Sequence, residues 1–180
     1  MKKLFMTLVA LLAVVSVDAQ VFVGGSVNVE AEDNKRTETT STKFSIEPEI
    51  GYMFNDKWGV GVKFGYGQSG KGDGKTTTFR LGYYLRYSYA TFDKVNLFLD
   101  GGGMAENEKV KANDYKDVRA DIGFKPGVSV NLTDRLSFVA HLGFIGWNFE
   151  GTDKDGDDGI NTWRLSFDAT QLNFGLYYNF

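Results

Sequence analysis

The chain of 180 residues contains no cysteine, one histidine, and no apolar run beyond its first 19 residues long enough for a spanning helix. Without cysteine no disulfide framework is available, so strand pairing and packing must supply the stability. The missing apolar run leaves no helical anchor after the N-terminal segment, since a spanning helix needs about 20 apolar residues. An excess of one charge is also lacking: 20 Lys and Arg stand against 23 Asp and Glu, a net charge of −3. That balance argues against a nucleic-acid partner, which would favour a clustered basic surface. What the chain has in quantity is glycine, 22 residues, and aromatic side chains, 15% of the total.

Residues 1–19 start with Lys2 and Lys3, continue through an apolar stretch over residues 4–15 and end on Val17-Asp18-Ala19. This reads as a secretory signal peptide, too short in its apolar core to span a bilayer. Cleavage after Ala19 would leave residues 20–180 as one domain.

That remainder alternates with a period of two, so one face of each strand is apolar and the other small or polar. Eight such stretches are read: residues 21–30, 43–54, 58–67, 77–89, 95–104, 118–132, 136–149 and 172–180. Their apolar faces include Phe44, Ile46, Ile50, Tyr52 and Phe54 in the second, and Phe79, Leu81, Tyr83, Leu85, Tyr87 and Tyr89 in the fourth. In the seventh they are Leu136, Phe138, Leu142 and Phe144, with an open phase around Trp147; residues 163–170 are likewise left unassigned. Each stretch is about as long as a tilted strand crossing the hydrocarbon layer, roughly 9 to 11 residues. Their apolar faces carry no Asp, Glu, Lys or Arg.

Connections alternate between short and long. Residues 55–57, 90–94 and 133–135 are tight-turn material, whereas 31–42, 68–76, 105–117 and 150–161 are long and polar. Short turns at one end and long loops at the other is the asymmetry of outer-membrane barrels, whose short turns face the periplasm. A soluble lipocalin-like barrel alternates too, with its apolar face inside. Aromatic clustering at strand ends (Tyr52, Phe54, Trp58, Tyr87, Tyr89, Tyr178, Phe180) instead fits an interfacial girdle, and the opposite face is rich in glycine and charge. The fold class expected is all-β: an eight-stranded antiparallel up-and-down transmembrane β-barrel.

The last nine residues sharpen this reading. Leu172, Phe174, Leu176, Tyr178 and Phe180 share one strand face and end the chain on an aromatic residue. The pattern resembles the C-terminal strand of Gram-negative outer-membrane barrels, which in that family is the signal read by the barrel-assembly machinery. With residues 82–89 (GYYLRYSY) and 95–103 (VNLFLDGGG), the chain resembles the small OmpA/OmpX-type barrels, particularly the Bacteroidetes outer-membrane β-barrel (porin-family) proteins. The resemblance implies an integral outer-membrane location, contact with outer-membrane lipids and lipopolysaccharide, and roles in envelope integrity or adhesion. No peptidoglycan-binding domain follows Phe180, so the wall-anchoring function of longer relatives is not expected. Two other readings are a narrow porin-like channel for small solutes and an outer-membrane lipid-modifying enzyme.

The polar face assigns Glu47, Glu49, Lys63, Arg80, Arg86, Asp100, Arg119, Asp121 and Lys125 to the lumen, with Tyr84, His141, Gln171 and Asn173. Counting from the turn at residues 55–57 places Glu49 across from Lys63; counting from Tyr89 opposite Val95 places Tyr84 across from Asp100, with Arg86 diagonal. Buried charges are costly unless paired, and eight strands enclose a space that side chains fill, so a salt-bridged plug is expected rather than a selectivity ring.

His141 invites a catalytic reading, but its mid-strand lumen position, opposite Gly127, favours a structural hydrogen bond. No Ser-His-acid or Cys-His arrangement can be built around it. The acidic loop from Glu150 to Ile160 looks briefly like a calcium loop, yet with Asp153 as position one Asp158 stands where glycine is required and Arg164 where the bidentate Glu should be. Residues 71–75 (KGDGK) lack the spacing of a phosphate loop. No catalytic residue, cofactor or metal is expected. Any surface ligand would engage loops 31–42, 68–76, 105–117 or 150–161.

Overall fold

The computed structural model describes residues 20–34, 39–70, 74–111, 116–152, 159–167 and 173–180. Residues 1–19, the acidic stretch Asp153 to Asp158, Gln171 and Leu172 fall outside them, as does the side chain of Asn173.

Ten strands make eight staves. They are β1 (Gln20–Asn34), β2 (Thr39–Met53), β3 (Trp58–Ser69), β4 (Thr76–Phe92), β5 (Val95–Val110), β6 (Lys116–Asn131), β7 (Leu136–His141), β8 (Phe144–Thr152), β9 (Ile160–Ser166) and β10 (Asn173–Asn179). Each stave from β1 to β6 pairs antiparallel with its neighbour, β7 joins β6 to β10, and β10 pairs with β1 over residues 22–25 to close the ring. β8 and β9 carry the seventh and eighth staves upward. Closure satisfies backbone groups that hydrocarbon could not.

The strands run further than the period-two reading allows. Most of the expected loop residues 31–42 and 105–117 are paired strand, with Asn34 opposite Thr39 and Lys109 opposite Lys116. Their polarity comes from standing above the membrane, where both faces of a hairpin meet water, so composition changes while pairing does not. The turn expected at residues 90–94 contracts to Asp93-Lys94, flanked by the pair Phe92 and Val95, with Asp93 at φ 49°. An Asp tolerates that left-handed conformation in a tight turn.

One strand phase differs from expectation, and one left open is resolved. β6 carries Pro126, which has no N–H to donate; opposite it the seventh stave breaks at Leu142-Gly143, and the register against β6 slips by one residue. Phe144, expected to face lipid, therefore turns to the lumen, where the Lys125 ammonium lies 5.4 Å from its ring centroid. Beyond the break Ile145, Trp147 and Phe149 face outward. Similarly, Trp163, Leu165 and Phe167 are exposed in and after β9, whereas Phe174, Leu176 and Tyr178 are exposed in β10, so the phase changes between them.

Large apolar side chains cover the outside, including Phe79, Leu81 and Tyr83, while the core cluster Phe22, Tyr84, Phe98, Val139 and Tyr177 lies inside the barrel. Near the turn end, Tyr52 meets Phe54 edge-on, Trp58 lies 4.6 Å from Tyr87, and Tyr178 meets Phe180 at 4.9 Å. These contacts form the aromatic girdle of one interface.

Candidate functional site

The lumen is where chemistry concentrates, and it divides into two levels. At the lower level the side chain of Asp100 is 2% exposed and accepts two hydrogen bonds from Arg86, Nε at 2.7 Å and a terminal nitrogen at 2.8 Å. Such a forked pair is strong because both bonds are charge-assisted and geometrically fixed. His141 Nε2 lies 2.9 Å from the second Asp100 oxygen. The Arg86 guanidinium also stacks 4.0 Å from the centroid of Phe98, whose ring is 1% exposed. Gly127 makes room for this stack: a Cβ there would lie 2.3 Å from Phe98 Cζ.

Beside this triad, Glu49 accepts hydrogen bonds from the Tyr84 hydroxyl and, at 2.8 Å, from the Tyr177 hydroxyl. Lys63 Nζ lies 3.3 Å away, across the register from Glu49. The Tyr84 ring occupies the space above Gly61, where a Cβ would fall 2.3 Å from it. Arg86, not Tyr84, is the direct partner of Asp100 in register. The count from Tyr89 fails because the turn is tighter than assumed, with Phe92 and not Tyr89 opposite Val95, and the bulge between Ser88 and Ala90 takes back one residue of that offset.

The upper level is wetter. Arg80 binds Glu47 at 2.7 Å and also Glu106; Arg119 reaches Glu106 at 3.0 Å and Glu108 at 3.5 Å. Lys125 extends along its own strand to Asp121, 3.4 Å away. Glu106 thus joins two arginines, although its sequence neighbourhood reads as a loop. A signal is present in the alternation Asp100, Gly102, Met104, Glu106, Glu108, once β5 is carried past its glycines. Phe22, Phe98 and Tyr177 also lie outside the expected charge network, since an aromatic residue on the polar face has no period-two signature of its own.

Cavities flank the lower level. A vestibule of about 490 Å³ opens among the short turns, lined by Asn55, Ser88, Asn96, Asn131 and Asn179 and roofed by Arg86, Phe98 and Tyr177. Two cavities of about 270 Å³ each lie in the upper half, sharing Met104, Asp121, Asn148 and Arg164. Between the halves the space shrinks to pockets of about 30 and 20 Å³, room for one or two waters each. Among the described residues no group of three or more His, Cys, Asp or Glu is arranged to hold a metal ion.

A closed eight-stave barrel with an apolar exterior and a charged interior is matched over residues 4–180 by the family model for the outer membrane protein β-barrel domain. The chain belongs to that family. Its location is accordingly the outer membrane. Neisserial surface protein A shares the fold at 15% identity and a TM-score of 0.51, over 90% of this chain and 96% of that one. A major outer membrane protein from Thermus thermophilus gives 13% identity and a TM-score of 0.45, covering 90% and 99%. Ail of Yersinia pestis, the attachment invasion locus protein, gives 15% identity and a TM-score of 0.43, covering 91% and 99%. No curated protein matches the chain. In an outer membrane β-barrel the short turns face the periplasm, so the 490 Å³ vestibule opens to the periplasm and the upper charge network lies in the extracellular half of the lumen.

Proposed function

We propose that this outer-membrane barrel is a non-conducting, non-enzymatic scaffold that holds long paired hairpins above the membrane for surface interaction or envelope support. The observation that carries this reading is the buried level formed by Phe98, Asp100, Arg86, Tyr84 and Glu49 between the two sets of cavities. Moving an ion through it would require separating the forked Arg86–Asp100 pair in a region without bulk water. His141 is committed to Asp100 at mid-lumen, far from the rim where an outer-leaflet substrate would react, which favours a structural role. Residues 172–180 are proposed to serve the barrel-assembly machinery as its recognition strand, and residues 1–19 to direct export.

The hairpins β1–β2 and β5–β6 supply the surface that a ligand would meet. Surface binding of intact cells can be compared with that of variants in which residues 35–38, 70–75, 111–115 or 153–159 are each replaced by a short turn. Loss with one variant assigns the contact to that hairpin, whereas unchanged binding by all four would leave envelope support alone. Liposome swelling with small sugars should match protein-free vesicles. Swelling above that background would favour the narrow-channel reading.

A further inference from the structure

The register slip opposite Pro126 builds a cradle in the extracellular half of the lumen. Gly123 of β6, Gly146 of β8 and Arg164 of β9 stand in one row across the lumen face, and Asp121, Asn148 and Thr162 form the next row above. The paired glycines leave that part of the wall bare. Phe144, turned inward by the break at Leu142-Gly143, lays its ring on them: a Cβ on Gly146 or Gly123 would fall 2.7 or 2.9 Å from its ring atoms. The ring is half-buried and borders the cavity of about 270 Å³ that Asp121, Asn148 and Arg164 also line.

The polar groups of this cavity are unevenly matched. Asp121 Oδ1 and Asn148 Oδ1 are buried without a hydrogen-bond donor, and among the described residues no other buried side-chain nitrogen or oxygen lacks a partner. Such orphans are rare, because burial removes the water that would serve them. The Lys125 ammonium stands 3.4 Å from the same Asp121 oxygen, balancing its charge without donating a hydrogen bond to it. Arg164 has the opposite imbalance. Each of the other cationic side chains lining the two upper cavities faces a carboxylate, whereas Arg164 has no ion pair among the described residues.

A complementary ligand brings an anion for Arg164, hydroxyl donors for the two oxygens and an apolar face for Phe144. A plain anion would meet the two oxygens with no proton to offer, and an amine would meet Arg164 and Lys125. A sugar ring bearing one carboxylate supplies all three, since its C–H face is apolar and its edge carries hydroxyls. The cavity is slightly smaller than the usual small-molecule site, which suits one ring and excludes a chain.

We propose that the upper lumen binds a small acidic sugar, its carboxylate on Arg164, its hydroxyls donating to Asp121 and Asn148, and its C–H face on Phe144. The site goes beyond the scaffold reading and does not depend on the sealed level below it. The full-length barrel, refolded in detergent and checked for native electrophoretic mobility, is titrated calorimetrically with D-glucuronate and D-galacturonate. Two near-isosteres separate the contributions: D-glucose keeps the hydroxyl donors without the carboxylate, and cyclohexanecarboxylate keeps the ring and carboxylate without the hydroxyls. At least one hexuronate should bind saturably, and both near-isosteres should bind on the order of tenfold more weakly or worse, as expected for losing a charge-assisted pair or stranding buried acceptors. R164Q, which breaks no ion pair of the folded chain, should weaken hexuronate binding on the order of tenfold and leave glucose unaffected. K57Q, in a periplasmic turn, should bind as the wild type does. Absence of saturable binding by both hexuronates, equal binding of glucose or cyclohexanecarboxylate, or undiminished hexuronate binding by R164Q would overturn the site.

Discussion

Two arginine–carboxylate systems occupy one lumen under different conditions. Arg86 and Asp100 have side chains 8% and 2% exposed, held by a fork and covered by Phe98. Arg119 and Glu108 are 47% and 25% exposed and 3.5 Å apart. Coulomb attraction in a screened, wet setting is small, and exposed pairs contribute about 0 to 1 kcal/mol. In a buried site the pair itself is close to neutral against a well-packed apolar alternative, but removing one member strands a charge. The lower level therefore fixes the barrel's interior through the penalty for breaking it, and the upper level through many weak, exchangeable contacts.

The largest effect should come from stranding a charge: Asp100→Ala leaves Arg86 buried without its fork and should destabilise the folded barrel by about 3–5 kcal/mol, read by urea unfolding in lipid vesicles. A loss below about 1 kcal/mol would mean that water reaches Arg86 and would erase the contrast between levels. Next, Gly127→Val drives a side chain into the Phe98 ring, at a cost of about 1–3 kcal/mol from overpacking. Near-native stability there would show that the ring can move aside.

Tyr177→Phe removes one of two hydroxyl donors to Glu49, which retains Tyr84 and Lys63. A loss of about 1–2 kcal/mol is expected, and no change would place a replacement water there. Arg119→Ala should be the mildest, at most about 1 kcal/mol and shrinking as salt rises. A salt-independent loss as large as that of Asp100→Ala would contradict the division of the lumen.

How much is legible in the sequence follows the same divide between regular and interrupted backbone. Glu49 and Lys63 pair as counted because the turn at residues 55–57 is tight, with Phe54 N–H donating to the Trp58 carbonyl and the Asn55 side chain accepting from Lys57 and Trp58. Nothing between that turn and the pair disturbs the count. The Arg86–Asp100 pair is displaced from its counted position by a turn that is tighter than its polar residues suggest, with Phe92 opposite Val95, and by a one-residue bulge in the opposite sense, neither of which the alternation of side chains announces. Phe144 lies on the opposite face from the one its sequence suggests because the phase slips opposite Pro126, on a different stave. Glu106 escapes the sequence reading because polarity there marks a strand leaving the membrane and not a loop. The eight-stave architecture is insensitive to these local departures because it depends on the outward face, which stays apolar wherever lipid touches it.

The sealed lumen is tested most directly by single-channel recording of the purified full-length barrel in planar bilayers, with Asp100→Ala alongside. The wild-type protein is expected to show no stable conductance, and the variant to show flickering openings as the Arg86 level loosens. A reproducible, long-lived open state in the wild type would contradict the plug that Arg86, Phe98 and Asp100 form.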